Sequence, residues 1–193
     1  MAKSLDQILV IDIESTCWEG GFSPPGQVSE IIEIGLCLVD VASLERLERR
    51  SIMVRPQMST VSPFCTELTS ITPAMAEAGM TLAEAVDILL DEYDSEHRLF
   101  ASWGDYDRNQ FKRNCDDYRL PYPFGPTHLN VKNLFSVGFG IRKELGIDGA
   151  MDRVGFSMEG THHRGVDDAW NIAQLLCLVP VSYTHLTLPT TLQ

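Results

Sequence analysis

The chain has no C-x-x-C pair. Its five cysteines, Cys17, Cys37, Cys65, Cys115 and Cys177, are odd in number and scattered, which argues against a disulfide framework or a zinc-ribbon site. They read as reduced thiols of a cytoplasmic protein. Cations are also scarce: 15 Lys and Arg stand against 27 Asp and Glu, a formal charge of -12. Phosphate binding draws mainly on lysine and arginine, so this balance excludes a broad electrostatic grip on duplex nucleic acid. A nucleic-acid role would need metal ions at the point of contact. No apolar run is long enough to cross a membrane, and the seven residues before the first apolar run leave no room for a signal peptide. Internal repeats and low-complexity linkers are absent too.

What is present fits one domain. With 193 residues, 44% hydrophobic and 22% charged, the chain can bury a core without covalent staples. Residues 8–14 form a strand apolar on both faces at Ile8, Leu9, Val10 and Ile11, as expected at the centre of a covered sheet. "EIIEIGLCLVD" (30–40) and "SIMVR" (51–55) give two more strands, and short connections favour antiparallel neighbours. "TLAEAVDILLDEYD" opens with Thr81 and Glu84 spaced as a capping box and carries the helical stripe Leu82, Val86, Leu89, Leu90 and Tyr93. Strands at 99–103 and 127–132 flank a helix around Asn109 to Arg119, and a last helix follows Val166. Three strands followed by alternating helix and strand predict an α/β domain with a mixed sheet. The Gly/Pro-rich "EGGFSPPGQ" (19–27) is a loop between the first two strands.

Residues 181–193 stand apart. "VSYTHLTLPTT" breaks the pattern of "AWNIAQLLCL" and resembles the translation of a sequencing-library adapter. The expectation is a domain over 1–180 and a non-native tail over 181–193, with the final helix cut short.

The first strand ends on two acids. Residues two apart in a strand face the same way, so Asp12 and Glu14 project together, with Cα atoms roughly 7 Å apart. They lie at the carboxyl end of the strand, where open α/β sheets bind ligands. Two such carboxylates repel unless a cation offsets them. Alone, D-x-E is a weak signal that an exposed strand end would also explain. Two further segments accompany it. In "SWGDYDRNQF" Asp105 and Asp107 sit where a strand passes into a helix, and helix N-termini favour acids in any case. In "GTHHRGVDDAWNIA" His163 precedes Asp168 by five residues, as His162 precedes Asp167, and spacing does not choose between the pairs.

In content and order, D-x-E, an aromatic-Asp pair and H-x-x-x-x-D resemble the three motifs of the DEDDh (DnaQ-like) 3′-to-5′ exonuclease superfamily. "EIIEIG", "FCTELTSIT", "SWGDYD", "LPYPFG", "LNVK" and "HHRGVDDAWNIA" resemble the branch of the histone-mRNA and small-RNA 3′-end exoribonucleases and KapD-like bacterial proteins. The resemblance covers residues 8–178. It implies a ribonuclease H-like fold, a five-stranded mixed sheet flanked by helices. The family's second acid follows an aromatic residue, which selects Asp107 after Tyr106. Its third motif has histidine, two residues, an apolar residue and an acidic pair whose second member binds metal, which selects His163 and Asp168.

The implied activity is metal-dependent removal of nucleoside 5′-monophosphates from 3′ ends of single-stranded RNA or DNA, with no membrane partner. Asp12, Glu14, Asp107 and Asp168 would hold two divalent ions, Mg²⁺ or Mn²⁺. His163 would be the general base. Thr16 and Cys17 would approach the terminal ribose, and Leu68 and Tyr106 would stack on or wedge terminal bases, although core packing explains Leu68 equally well. Trp103 reads as structural. Rival readings are a non-catalytic adaptor on the same fold and an endonuclease. The motifs leave RNA or DNA preference and oligomeric state open.

Overall fold

The computed structural model describes residues 5–184, with side chains through Val179. Five strands, β1 (Gln7–Ser15), β2 (Ile31–Asp40), β3 (Arg46–Met53), β4 (Leu99–Ser102) and β5 (His128–Asn130), form one sheet in the order β3-β2-β1-β4-β5. β1, β2 and β3 are antiparallel; β1, β4 and β5 are parallel. This is the expected mixed ribonuclease H-like sheet. The helices are α1 (Pro63–Thr69), α2 (Pro73–Glu77), α3 (Leu82–Tyr93), α4 (Tyr106–Tyr118), α5 (Val131–Gly138), α6 (Ile147–Arg153) and α7 (Gly165–Thr184).

The pleat of β1 sorts its side chains into two layers. Leu9, Ile11 and Ile13 pack with Val86 and Leu89 of α3 and Phe111 of α4. Val10, with Ile8 beside it, packs with Phe135, Met151 and the Ala169, Ile172 and Ala173 row of α7. Asp12 and Glu14 continue the Ile8 and Val10 row, on the α7 side. Neighbouring β2 places Glu33, Gly35, Cys37 and Val39 on that side as well, and Cys37 and Val39 are buried under α7.

α7 enters this layer by a close backbone approach at its first residue. A Cβ on Gly35 would lie 1.8 Å from the Gly165 carbonyl carbon, and one on Gly165 would lie 2.9 Å from the Asp12 carbonyl oxygen. Neither neighbour is a flexible side chain, so a methyl there must displace the helix start. Gly35→Ala is expected to destabilise the fold by about 1–3 kcal/mol or more, as overpacking does. A chemical unfolding midpoint equal to the parent's would contradict it.

Several boundaries differ from the sequence reading. β3 begins at Arg46, not Ser51, and ends at Met53. It is an edge strand whose first five residues are four charged ones and an exposed leucine, so only its apolar end stood out. β5 has three residues because Asn130 leaves the sheet to cap α5, accepting the Asn133 N–H at 3.0 Å. α4 starts three residues before Asn109. α7 runs to Thr184, past residue 180, and residues 185–193 of the suspected tail lie outside the described residues. The Thr81–Glu84 capping box is present, and no disulfide joins the described cysteines. No helix among the described residues is long and apolar enough to cross a membrane.

Candidate active site

The carboxyl ends of β1 and β4 and the N-termini of α4 and α7 meet around a cavity of about 240 Å³. Asp12, Glu14, Asp107, Asp168, His162 and His163 line it, with Trp103, Tyr106, Ile13 and Ile147. Helix N-termini carry partial positive charge and favour carboxylates, which suits Asp107 and Asp168 in the first turns of α4 and α7.

Asp107 is fixed by a gap in the sheet. β4 pairs with β1 only as far as Val10, so the Ile13 N–H has no strand partner, and a buried N–H must find one. The Asp107 carboxylate accepts it at 3.0 Å and is thereby held beside β1, on the cavity that Asp12 and Glu14 also line. Asp105 faces away from the cavity, paired with Arg108 at 3.0 Å and near His128 at 3.6 Å. The two acids that open α7 diverge likewise. Asp167 turns outward to Arg49 of β3 and the Thr161 N–H, whereas Asp168 is 2% exposed and faces the cavity.

Asp168 accepts the His163 N–H at 2.9 Å and faces His162 Nδ1 at 3.1 Å. The two imidazoles stack with centroids 4.0 Å apart. His163 holds its backbone at φ 62, in the left-handed region, which turns its ring back toward the cavity. Both rings border the cavity, and it is the His162 ring that touches Asp168. Spacing in the sequence does not distinguish the two histidines, and the resemblance selects only His163.

Electrostatically this is a site short of positive charge. Burial, then Asp168, Glu33 and Asp107, pushes Glu14 up to about 9. Burial and the neighbouring acids also raise Asp12 well above its ordinary value. Burial lifts Asp107 to about 6 against the pull of the Ile13 N–H, and lifts Asp168 against His162. Burial and His162 lower His163, favouring its neutral form. Asp12, Glu14 and Asp168 bring ligand oxygens within 4.8 Å of one another, and Asp107 borders the same space. Hard oxygen donors so placed fit divalent cations such as Mg²⁺ or Mn²⁺.

The expected substrate contacts fare unevenly. Tyr106 stands on the cavity rim, 53% exposed. Thr16 is buried; its hydroxyl donates to the Val28 carbonyl at 3.2 Å and accepts the Glu30 N–H at 2.9 Å, so this hydroxyl fastens the loop. Cys17 packs beside Val61, Cys65 and Ile71 and does not line the cavity. Leu68, on α1, is exposed and therefore no core residue, but it too lies off the cavity wall. Trp103 has the structural role expected, donating to the Leu145 carbonyl at 3.1 Å, and also forms part of the wall.

Sequence reasoning missed an ion pair beneath the site, its carboxylate buried and its arginine partly exposed. Glu33, fully buried, accepts Arg164 Nε at 3.0 Å, Arg164 Nη2 at 3.2 Å, the Gly165 N–H at 3.0 Å and the Ser51 hydroxyl at 2.6 Å. It ties the His162–His163–Arg164 turn to β2. An acid inside the apolar run "EIIEIG" was the available signal.

A mixed sheet with carboxylates converging at its strand ends defines a nuclease of the ribonuclease H type, and the RNase_T family of exonucleases matches residues 9–176. The chain belongs to that family and is a metal-dependent 3′-to-5′ exonuclease of the DEDDh kind. Among its relatives is the Bacillus subtilis (strain 168) protein named "Probable 3'-5' exonuclease KapD", 29% identical over 185 residues, spanning 95% of this chain and 89% of that one. Human 3′-5′ exoribonuclease 1 is 29% identical over 180 residues, 88% of this chain but 51% of the relative, so the chain spans about half of that protein. The nuclease domain of 3′hExo, a DEDDh family member solved bound to rAMP, superposes with a TM-score of 0.84 at 26% identity, covering 94% of each chain.

Proposed function

We propose that this exonuclease removes nucleotides from the 3′ ends of RNA or short single strands, releasing nucleoside 5′-monophosphates. Asp12, Glu14, Asp107 and Asp168 are the ligands of two divalent ions, and a histidine of the 162–163 pair is the general base. The observation that supports this reading is the convergence of four acids from three separate segments on one cavity with two imidazoles at its edge. The relatives named exoribonuclease and the neighbour bound to rAMP favour RNA.

When bound, the ions supply Lewis-acid polarisation of the scissile phosphate and a lowered pKa for water. The chain's own groups do the rest. His163, kept neutral by burial, can accept a proton at a free ring nitrogen. Asp168 anchors that histidine through its backbone N–H. Tyr106 offers an exposed ring to the terminal base, a sequence-tolerant contact. Trp103 and Ile147 supply apolar wall.

His163→Ala is expected to lower kcat by roughly 10²- to 10⁴-fold, the range for loss of a general base. His162→Ala, which removes one contact to Asp168, is expected to cost less, about 10- to 100-fold. The reverse order would move the base to His162. Matched 3′-labelled RNA and DNA oligonucleotides, with Mn²⁺ or with chelator, provide the assay. Internal fragments in place of mononucleotides would overturn the exonucleolytic reading.

A further inference from the structure

A second cavity, of about 380 Å³, opens beside the β1–β2 loop, walled by Trp18, Ser23, Val28 and Ser29 and by Arg113 and Asp117 of α4. Its size is that of a small-molecule pocket, for which about 300–1,000 Å³ is usual. No residue of the acid cavity lines it, so the two are separate.

One helix face borders both, with Gln110 between them buried beneath the Ser29 carbonyl. Tyr106, Gln110, Arg113 and Asp117 follow one another at helical intervals of four, three and four residues and so share a side of α4. Tyr106 borders the acid cavity, and Arg113 stands about 10 Å further along the axis at 1.5 Å per residue. The cavity wall is built, not incidental. Gln110 Nε2 and Asn114 Nδ2 donate to the Ser29 carbonyl at 2.7 and 2.9 Å, and Asn114 Oδ1 accepts the Ile31 N–H at 2.9 Å, pinning the end of the loop to α4.

The lining chemistry narrows the occupant. The Arg113 guanidinium bonds the Gln110 amide oxygen and has no carboxylate partner, and the Asp117 carboxylate accepts only a 3.5 Å contact from Asn114 and pairs with no cation among the described residues. A bare phosphate would meet the Asp117 charge, and an apolar ligand would desolvate both ions without return. A nucleobase offers a flat face to Trp18 and an edge carrying both acceptors and donors to Arg113 and Asp117.

The geometry points to this cavity as the seat of one base of the substrate strand, upstream of the 3′-terminal nucleotide, stacked on Trp18 with its edge between Arg113 and Asp117. This assignment rests on the exonuclease reading of the acid cavity and extends it to substrate recognition.

Two substrates separate them: a single-stranded hexanucleotide, and the p-nitrophenyl ester of a nucleoside 5′-monophosphate, which has nothing upstream and reports the reaction centre alone. Trp18→Ala and Arg113→Ala are expected to raise KM for the hexanucleotide roughly 5- to 100-fold, the range for losing one base stack, with kcat and ester hydrolysis held. Hexanucleotides abasic at each position in turn should show the same KM penalty at one upstream position, and Arg113→Ala should erase the difference. Should Trp18→Ala fail to fold, Arg113→Ala and Asp117→Ala carry the test, since both stand on exposed helical positions. Parent-like KM in the variants, or no position-dependent abasic penalty, overturns the subsite. A parent inactive on both substrates overturns the exonuclease reading on which it rests.

Discussion

Replacing Asp168 by asparagine is expected to cut nuclease turnover by about 10²- to 10³-fold, the scale for losing one stabiliser of transition-state charge, while raising the melting temperature of the metal-free protein. Asparagine keeps an oxygen that can accept the His163 N–H, so the turn stays tethered, but it removes one of several crowded like charges. Glu14 gives the sign of the pH dependence. Its carboxyl titrates near its ordinary 4.5 in the unfolded chain and at about 9 in the folded one. The folded state binds more protons across that interval, so stability is fullest below about pH 4.5 and falls as pH rises toward 9. Asp107, raised to about 6, adds to the early part of the decline. Thermal melts in chelator from pH 5 to pH 9 should therefore descend, Asp168→Asn should flatten the slope, and Mn²⁺ should restore stability at the alkaline end. A parent melting temperature flat across this range would refute the account.

Glu33→Ala is expected to cost about 3 kcal/mol, the low end for breaking a buried pair, because Glu33 is fully buried but Arg164 is partly exposed, and its loss leaves Arg164 and the Gly165 N–H without their acceptor. At about 2–4 °C per kcal/mol for a domain of this size, the melting temperature should drop by roughly 10 °C. Turnover should fall by about 10- to 100-fold, as when the support behind a ligand is removed, because the turn carrying both histidines loses its attachment to β2. Glu33→Ala/Arg164→Ala should cost less than the sum of the single changes. Strict additivity would mean that the two side chains do not act as a pair.

Much of this site was legible because its residues interrupt regular patterns. Asp12 and Glu14 break an apolar strand, and the period of two alone places them together. Capping explains why α3 was readable in full. The choice of Asp107 over Asp105 came from family resemblance; its physical basis, the unpartnered Ile13 N–H, depends on where β4 stops pairing, and no local pattern encodes that. Glu33 and Arg164 were invisible as a pair, being 131 residues apart in the chain. α1 and α2 went unread because they have seven and five residues, too few for a periodic stripe, and each begins with proline, which reads as a breaker. Adjacency to the acids said nothing of the Thr16 hydroxyl, which the loop consumes.

The single row of β1 that runs Ile8, Val10, Asp12, Glu14 has a consequence for how faults in assembly are penalised. A slip of one position against β2 would rotate every side chain to the opposite surface of the sheet. The carboxylates would then be driven among Phe111 and the α3 leucines while Ile11 and Ile13 took their places at the reaction centre. No misregistered molecule can be stable and still cut, so inactive product of that kind is self-eliminating.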